Sequence, residues 1–196
     1  MGLYLVSVGA EEWFGAEEGE YGETASALNE ELRRRGLPPY ASLPEESDFV
    51  PGAGLRFEEK LSPSMAGFGA LCEAHLARDE GETLAGWSVL VPFSLEDDVR
   101  LSVGSAYADE TLVAGAPQVL ALAERLAVAL ELPVDAIPER CDNLELTLWF
   151  LDGPAKELAT TRPGPWSEDL ATSYYVALYL RAAQHSLRRG CPLVYS

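Results

Sequence analysis

Several residue types are scarce in this chain of 196 residues, and each shortage excludes something. Lysine occurs only as Lys60 and Lys156, and histidine only as His75 and His185. Fourteen basic residues stand against 32 acidic ones, for a formal charge of −18. A field of that sign repels phosphate backbones and anionic headgroups, so neither nucleic acid nor a membrane is an expected partner. Cationic proteins and metal ions are favoured. Solubility is the plainer use of such a surface.

Cysteine is equally sparse. Cys72, Cys141 and Cys191 are widely spaced and form no CxxC, which argues against a disulfide framework and for reduced thiols. No run approaches the ~18 apolar residues that span a bilayer. The opening "MGLYLVSVGAEEWF" lacks the basic region of a signal peptide. A cytoplasmic location is expected, and arginine in place of lysine fits a GC-rich bacterial genome. Missing too are GxxxxGK[ST], GxGxxG, HExxH, GxSxG and an EF-hand loop, so no cofactor is expected and the balance tips away from an enzyme.

What is present suffices for a fold. Hydrophobic residues make up 47%, enough to offset chain entropy, and the length suits one domain of about 100–200 residues. "LYLVSV", residues 3–8, reads as a strand buried on both faces. "GETASALNEELRRRG" reads as a helix with Thr24 as N-cap, a thin stripe of Ala25, Leu28 and Leu32, and Glu30–Arg34 and Glu31–Arg35 pairs. Residues 37–57 carry four prolines and read as an irregular connection, either a functional loop or a wrap packed through Tyr40, Phe49 and Leu55.

A helix from Ser62 and Pro63 to Gly81 carries Met65, Phe68, Cys72, His75 and Leu76 at helical spacing. "WSVLVPF" and "DVRLSV" read as a hairpin joined by "SLEDD". "APQVLALAERLAVALELP" is a helix with Val119, Leu122, Ala123, Leu126 and Leu130 on one face, stopped by Pro133. "LELTLWFL" alternates as a strand would. The segment 167–190 reads as a long helix, capped by Ser167 and ended by Gly190, with stripes Val176, Leu180, Ala183, Leu187 and Tyr174, Leu178, Arg181, His185. "CPLVY" reads as a last short strand. The expected architecture is α+β, a mixed sheet of about five short strands with about four helices, in a single domain over 1–196.

Three groupings could carry chemistry. Cys72, His75, His185 and Cys191 are thiolate and imidazole donors of the kind that suits zinc. Their spacing matches no standard ligand pair, and a cysteine on an apolar stripe is more often core, so no metal is expected. Cys141, with Asp142, Asn143 and a distant His185, has the composition of a nucleophile triad, although Asp-Asn also serves simply to cap a turn. Carboxylates in loops, namely Glu11, Glu12, Glu17, Glu18, Glu96, Asp97, Asp98, Asp109 and Glu110, offer acid–base groups for a small-molecule hydrolase or transferase. "SAYADE" around Tyr107 adds an aromatic neighbour to the last pair.

The feature that stands out is "AEEWFGAEEGEYGE", residues 10–23, with six glutamates and no basic residue. Glu11, Glu12, Trp13, Phe14, Glu17, Glu18, Glu20 and Tyr21 compose an expected recognition surface. Aromatics give contact area at low entropy cost, and the carboxylates steer a basic protein partner. The competing reading tucks the aromatics onto the core. On this sequence the chain is expected to be a non-enzymatic binding protein, immunity-like or regulatory, with the hydrolase or transferase and a structural subunit as alternatives.

Overall fold

A computed structural model of the chain describes residues 2–17, 19–44, 50–104 and 109–196. Glu18, Phe49 and Tyr107 lie outside the described residues. The class is α+β: one mixed sheet of six strands, rather than about five, and nine helices among the described residues.

In chain order, β1 is Leu3–Ser7, α1 Ala10–Phe14, α2 Gly22–Arg34, β2 Glu58–Leu61, α3 Ala66–His75 and α4 Arg78–Ala85. Then follow β3 Val89–Val91, β4 Val99–Leu101, β5 Thr111–Gly115, α5 Ala116–Ala129 and α6 Glu145–Leu151. The rest is α7 Pro154–Thr161, α8 Pro165–Glu168, α9 Leu170–Arg189 and β6 Leu193–Tyr195. The sheet order is β2-β1-β6-β3-β5-β4, and only β3 and β5 run parallel.

Period-two alternation sorts the strand residues onto two faces. Leu5, Leu90, Ala114 and Leu193 enter the larger core, made with α3, α5, α6 and α9. Val89, Val91, Val99, Leu101, Val113 and Val194 enter the smaller one, with Trp13, Leu28, Leu32 and Tyr40. Helices therefore cover both faces. The long helix α9 packs against α5, α3 and α6 and is buried almost all round from Thr172 to Ser186. Both of its expected stripes point into protein, apart from Leu187.

Six expectations are corrected. Residues 87–93 and 98–103 supply β3 and β4, but these are not a hairpin, because β5 lies between them and pairs with both. "LELTLWFL" is α6, a helix. Leu144 takes a left-handed conformation at φ 62°, and Leu146, Thr147 and Phe150 bury one helical face while Leu148 and Leu151 are exposed. The helix expected from Ser62 to Gly81 breaks at Leu76 and Ala77, both extended, into α3 and α4. Asp169, not Ser167, caps α9, accepting from the amides of Ala171 and Thr172. Thr24 is a buried residue inside α2 rather than its cap, and Arg34 pairs with Glu31 in place of Glu30.

The described parts of 37–57 pack as a wrap. Tyr40 is buried, exchanges hydrogen bonds with the Asn29 side chain and donates its hydroxyl to the Gly190 carbonyl. Phe57 is buried beside the His185 ring.

Candidate functional site

The acidic segment folds back on itself. From Gly9 the chain makes the short helix α1, whose first turn carries Glu11 and Glu12, the sign that suits the positive end of a helix. A turn follows in which the Glu20 amide donates to the Glu17 carbonyl and the Glu20 carboxylate accepts from the Glu17 amide. Gly19 stands at φ +95°, where a side chain is strained. Two cross-links close the segment: the Tyr21 amide donates to the Glu12 carbonyl, and the Gly22 amide to the Gly15 carbonyl, each at 3.0 Å. At Gly22 a Cβ would stand 2.1 Å from that Gly15 carbonyl oxygen, so only glycine closes the link.

This fold divides the expected site residues. Trp13 is 0% exposed and packs on Tyr21 and Tyr40, with ring centroids 6.2 and 6.0 Å away. It belongs to the core and presents no surface to a partner. Phe14, one residue on, is 45% exposed. Glu11, Glu12 and Glu17 are exposed, whereas Glu20 and Tyr21 are half-buried. Trp13→Leu should therefore cost about 2 kcal/mol of stability, while Phe14→Ser should stay within about 0.5 kcal/mol. Urea unfolding of the two variants checks this, and equal losses would refute the division.

Glu20 and Tyr21 are half-buried because they edge a cavity of about 560 Å³ at the start of α2. Its lining includes Val89, Val194, Trp87, Tyr179 and Tyr195, of which both valines, Trp87 and Tyr179 are themselves buried. Trp87 stacks on Tyr195 at 5.0 Å, and the hydroxyls of Tyr179 and Tyr195 lie 3.2 Å apart. Burial pushes the Tyr179 phenol up to about 12, so it stays neutral and acts as a hydrogen-bonding group. The described lining holds one carboxylate, Glu20, and no lysine, arginine or histidine. A second depression, about 930 Å³, lies on the outer side of the same loop, with Phe14, Glu17, Glu20 and Glu23 in its walls.

The other groupings do not assemble. His75 is exposed while Cys72, His185 and Cys191 are buried, and among the described residues no group of three or more His, Cys, Asp and Glu side chains could hold a metal ion. Cys141 is buried, and burial together with the nearby Glu59 carboxylate holds its thiol well above the usual range, the opposite of an activated nucleophile. Asp142 instead accepts from the amides of Gly52 and Gly54, the capping role. Asp109 and Glu110 are exposed. Glu96, Asp97 and Asp98 edge a small pocket of about 290 Å³ with Asp79 and Glu82. There Asp98 is raised by burial and by Asp97, and it accepts from the Thr83 hydroxyl at 2.9 Å.

Two buried polar nodes complete the picture, Glu59 unread in the sequence and Arg181 read only as part of a helical stripe. Glu59 of β2 is 0% exposed, and its carboxylate accepts from the amides of Leu146 and Thr147 and from the Thr147 hydroxyl, at 2.8, 2.8 and 2.6 Å. It caps α6 from another element. Burial outweighs those bonds and raises its carboxyl from 4.5 to about 7. The available signal was parity, since Phe57, Glu59 and Leu61 share one face of a strand. Arg181 of α9, 5% exposed, donates to the carbonyls of Pro138, Val134 and Ile137 at 2.8–2.9 Å and to the Gln184 side chain.

No family model matches this chain, and no curated protein or solved structure matches it either. Among the described residues no helix is long and apolar enough to cross a membrane.

Proposed function

We propose that this chain is a non-enzymatic cytoplasmic protein, immunity-like or regulatory, that binds a basic protein partner through the α1–α2 segment. The observation that carries this reading is one patch: exposed Phe14, Glu17 and Glu23 line a depression that shares Glu20 with a cavity whose described lining has no cation. Carboxylates at a rim steer and orient a cationic partner, and an exposed aromatic among them supplies apolar contact. Among the loop carboxylates of the hydrolase or transferase alternative, Asp98 is raised by burial, and it already has a hydrogen-bond partner in Thr83.

The test is a low-salt pull-down from the native lysate with two baits, the wild-type chain and a Glu11→Gln/Glu17→Gln/Glu23→Gln variant. The wild type should retain a protein of high isoelectric point that salt elutes, and the variant should lose it. The reading fails if the wild type retains nothing basic, or if both baits retain the same basic protein.

A further inference from the structure

The loop depression and the aromatic cavity are not isolated. They share Gly19, Glu20, Thr24 and Gly104, so the acidic depression opens onto the cavity. On its far side the cavity adjoins, across Met65, Ala85 and Gly86, a third depression of about 770 Å³ between α3 and α4. The lining of that third depression is mainly apolar, with Glu73, Arg78 and Glu82 also in it. Phe68, Gly69 and Cys72 of α3 form one wall, Gly81 and Ala85 of α4 the other, and Leu76 closes the corner. The break between α3 and α4 at Leu76 and Ala77, which the sequence hid, creates it. One groove thus runs from carboxylates, over aromatic rings, to an apolar channel.

We infer that this groove binds one continuous segment of the partner, in which a cluster of Lys or Arg residues adjoins a cluster of apolar residues. The basic cluster lies against Glu17, Glu20 and Glu23, and the apolar cluster fills the α3–α4 channel. The inference rests on the acidic-face reading above and extends it by naming what the partner carries. Charge complementarity fixes which end takes the cations. Continuity of the groove makes the occupant a single segment, because an all-basic ligand would leave the apolar channel in water and an all-apolar one would leave the carboxylates uncompensated. Long cationic side chains suit the middle, where their aliphatic stems lie on the exposed Met65 and the charge reaches Glu20.

Two glycines make the channel testable without disturbing the fold. A Cβ at Gly69 would meet nothing within 4 Å, and one at Gly81 only the Cys72 Cβ at 3.9 Å. Gly69→Phe and Gly81→Leu therefore plug the channel from opposite walls. Both replace a helical glycine with a better helix former.

The experiment pans a random peptide library displayed on phage against the wild-type protein, then measures selected synthetic peptides by fluorescence anisotropy. Enriched sequences should pair a basic cluster with an apolar one. Their affinity should fall about ten-fold or more in Gly69→Phe, in Gly81→Leu and in Glu17→Lys/Glu23→Lys, a loss of about 1.4 kcal/mol each. Basic peptides that are weakened by the charge reversal but bind both plugged variants as tightly as wild type would overturn the groove and leave the acidic-face reading standing. Absence of enriched basic peptides would overturn both.

Discussion

Glu59→Ala is expected to cost roughly 4 kcal/mol of folding stability, the largest effect of any single change considered for this chain. The buried Leu146 and Thr147 amides would lose their acceptor, and the Thr147 hydroxyl would lose its shortest one, keeping the Tyr174 hydroxyl and the Lys60 carbonyl within reach. Each orphaned buried donor costs about 1–3 kcal/mol, partly offset because the carboxylate's own burial penalty disappears with it. Helix α6 is too short to survive on propensity, so the loss should be local as well as global, with amides of 145–151 exchanging early. Urea unfolding followed by circular dichroism measures the first effect and hydrogen exchange the second. A loss under about 1 kcal/mol would mean that the α6 amides find another acceptor.

The same residue gives stability a pH dependence of known sign. The Glu59 carboxyl titrates near 7 in the fold against 4.5 when free, because burial disfavours its charge. Between those values the folded chain holds a proton that the unfolded chain has released. Stability is therefore fully present below pH 4.5 and declines as pH rises through 7, a change of roughly 3 kcal/mol. The overall charge of −18 pushes the same way, since acidification relieves self-repulsion. Glu59→Gln separates the two contributions: its stability curve should keep the shallow general slope and lose the steep one. Identical curves for wild type and Glu59→Gln would remove the assignment.

Arg181→Met is expected to cost about 3 kcal/mol. The guanidinium ties the carbonyls of Val134, Ile137 and Pro138 to α9, and methionine keeps much of the volume while leaving all three carbonyls without that donor. The fork geometry matters as much as the charge. Arg181→Lys offers a point charge that cannot reach three carbonyls on one plane, so it should recover less than half of the loss. Raised hydrogen exchange in residues 134–138 would accompany either variant, and an unchanged exchange pattern would show that the segment holds by other contacts.

These two nodes also mark where the sequence was legible and where it was not. Helix α5 was readable because its periodicity, Pro117 at its start and Pro133 beyond its end all agree. β6 was readable because β-branched and aromatic residues follow a glycine and a proline. "LELTLWFL" was not, because Leu146, Leu148 and Phe150 fit alternation while Leu146, Thr147 and Phe150 fit a helical face; the vote that settles it, the Glu59 carboxylate, stands about 90 residues away in sequence. β2 has two glutamates in four residues, a composition that local propensity reads as exposed. β5 runs into α5 through Gly115 with no intervening loop, so its five residues vanish into the helix signal. Of the recognition segment, Glu11, Glu12, Glu17 and Phe14 were legible as exposed residues, while Glu20 is half-buried. The burial of Trp13 was not legible, because it depends on Tyr40, which approaches from the next connection.

The position of β6 has a meaning for assembly of the sheet. It pairs with β1 on one side and β3 on the other, and β1 and β3 have no pairing of their own. Until residues 193–195 are in place the sheet exists as two fragments, β2-β1 and β3-β5-β4, each with a bare edge. Pairing Leu5 with Tyr195 closes a loop of nearly the whole chain, so joining the fragments carries a larger loop-closure cost than the pairings inside either one. Either edge left unpaired would be a template for another chain, and the charge of −18 opposes that encounter.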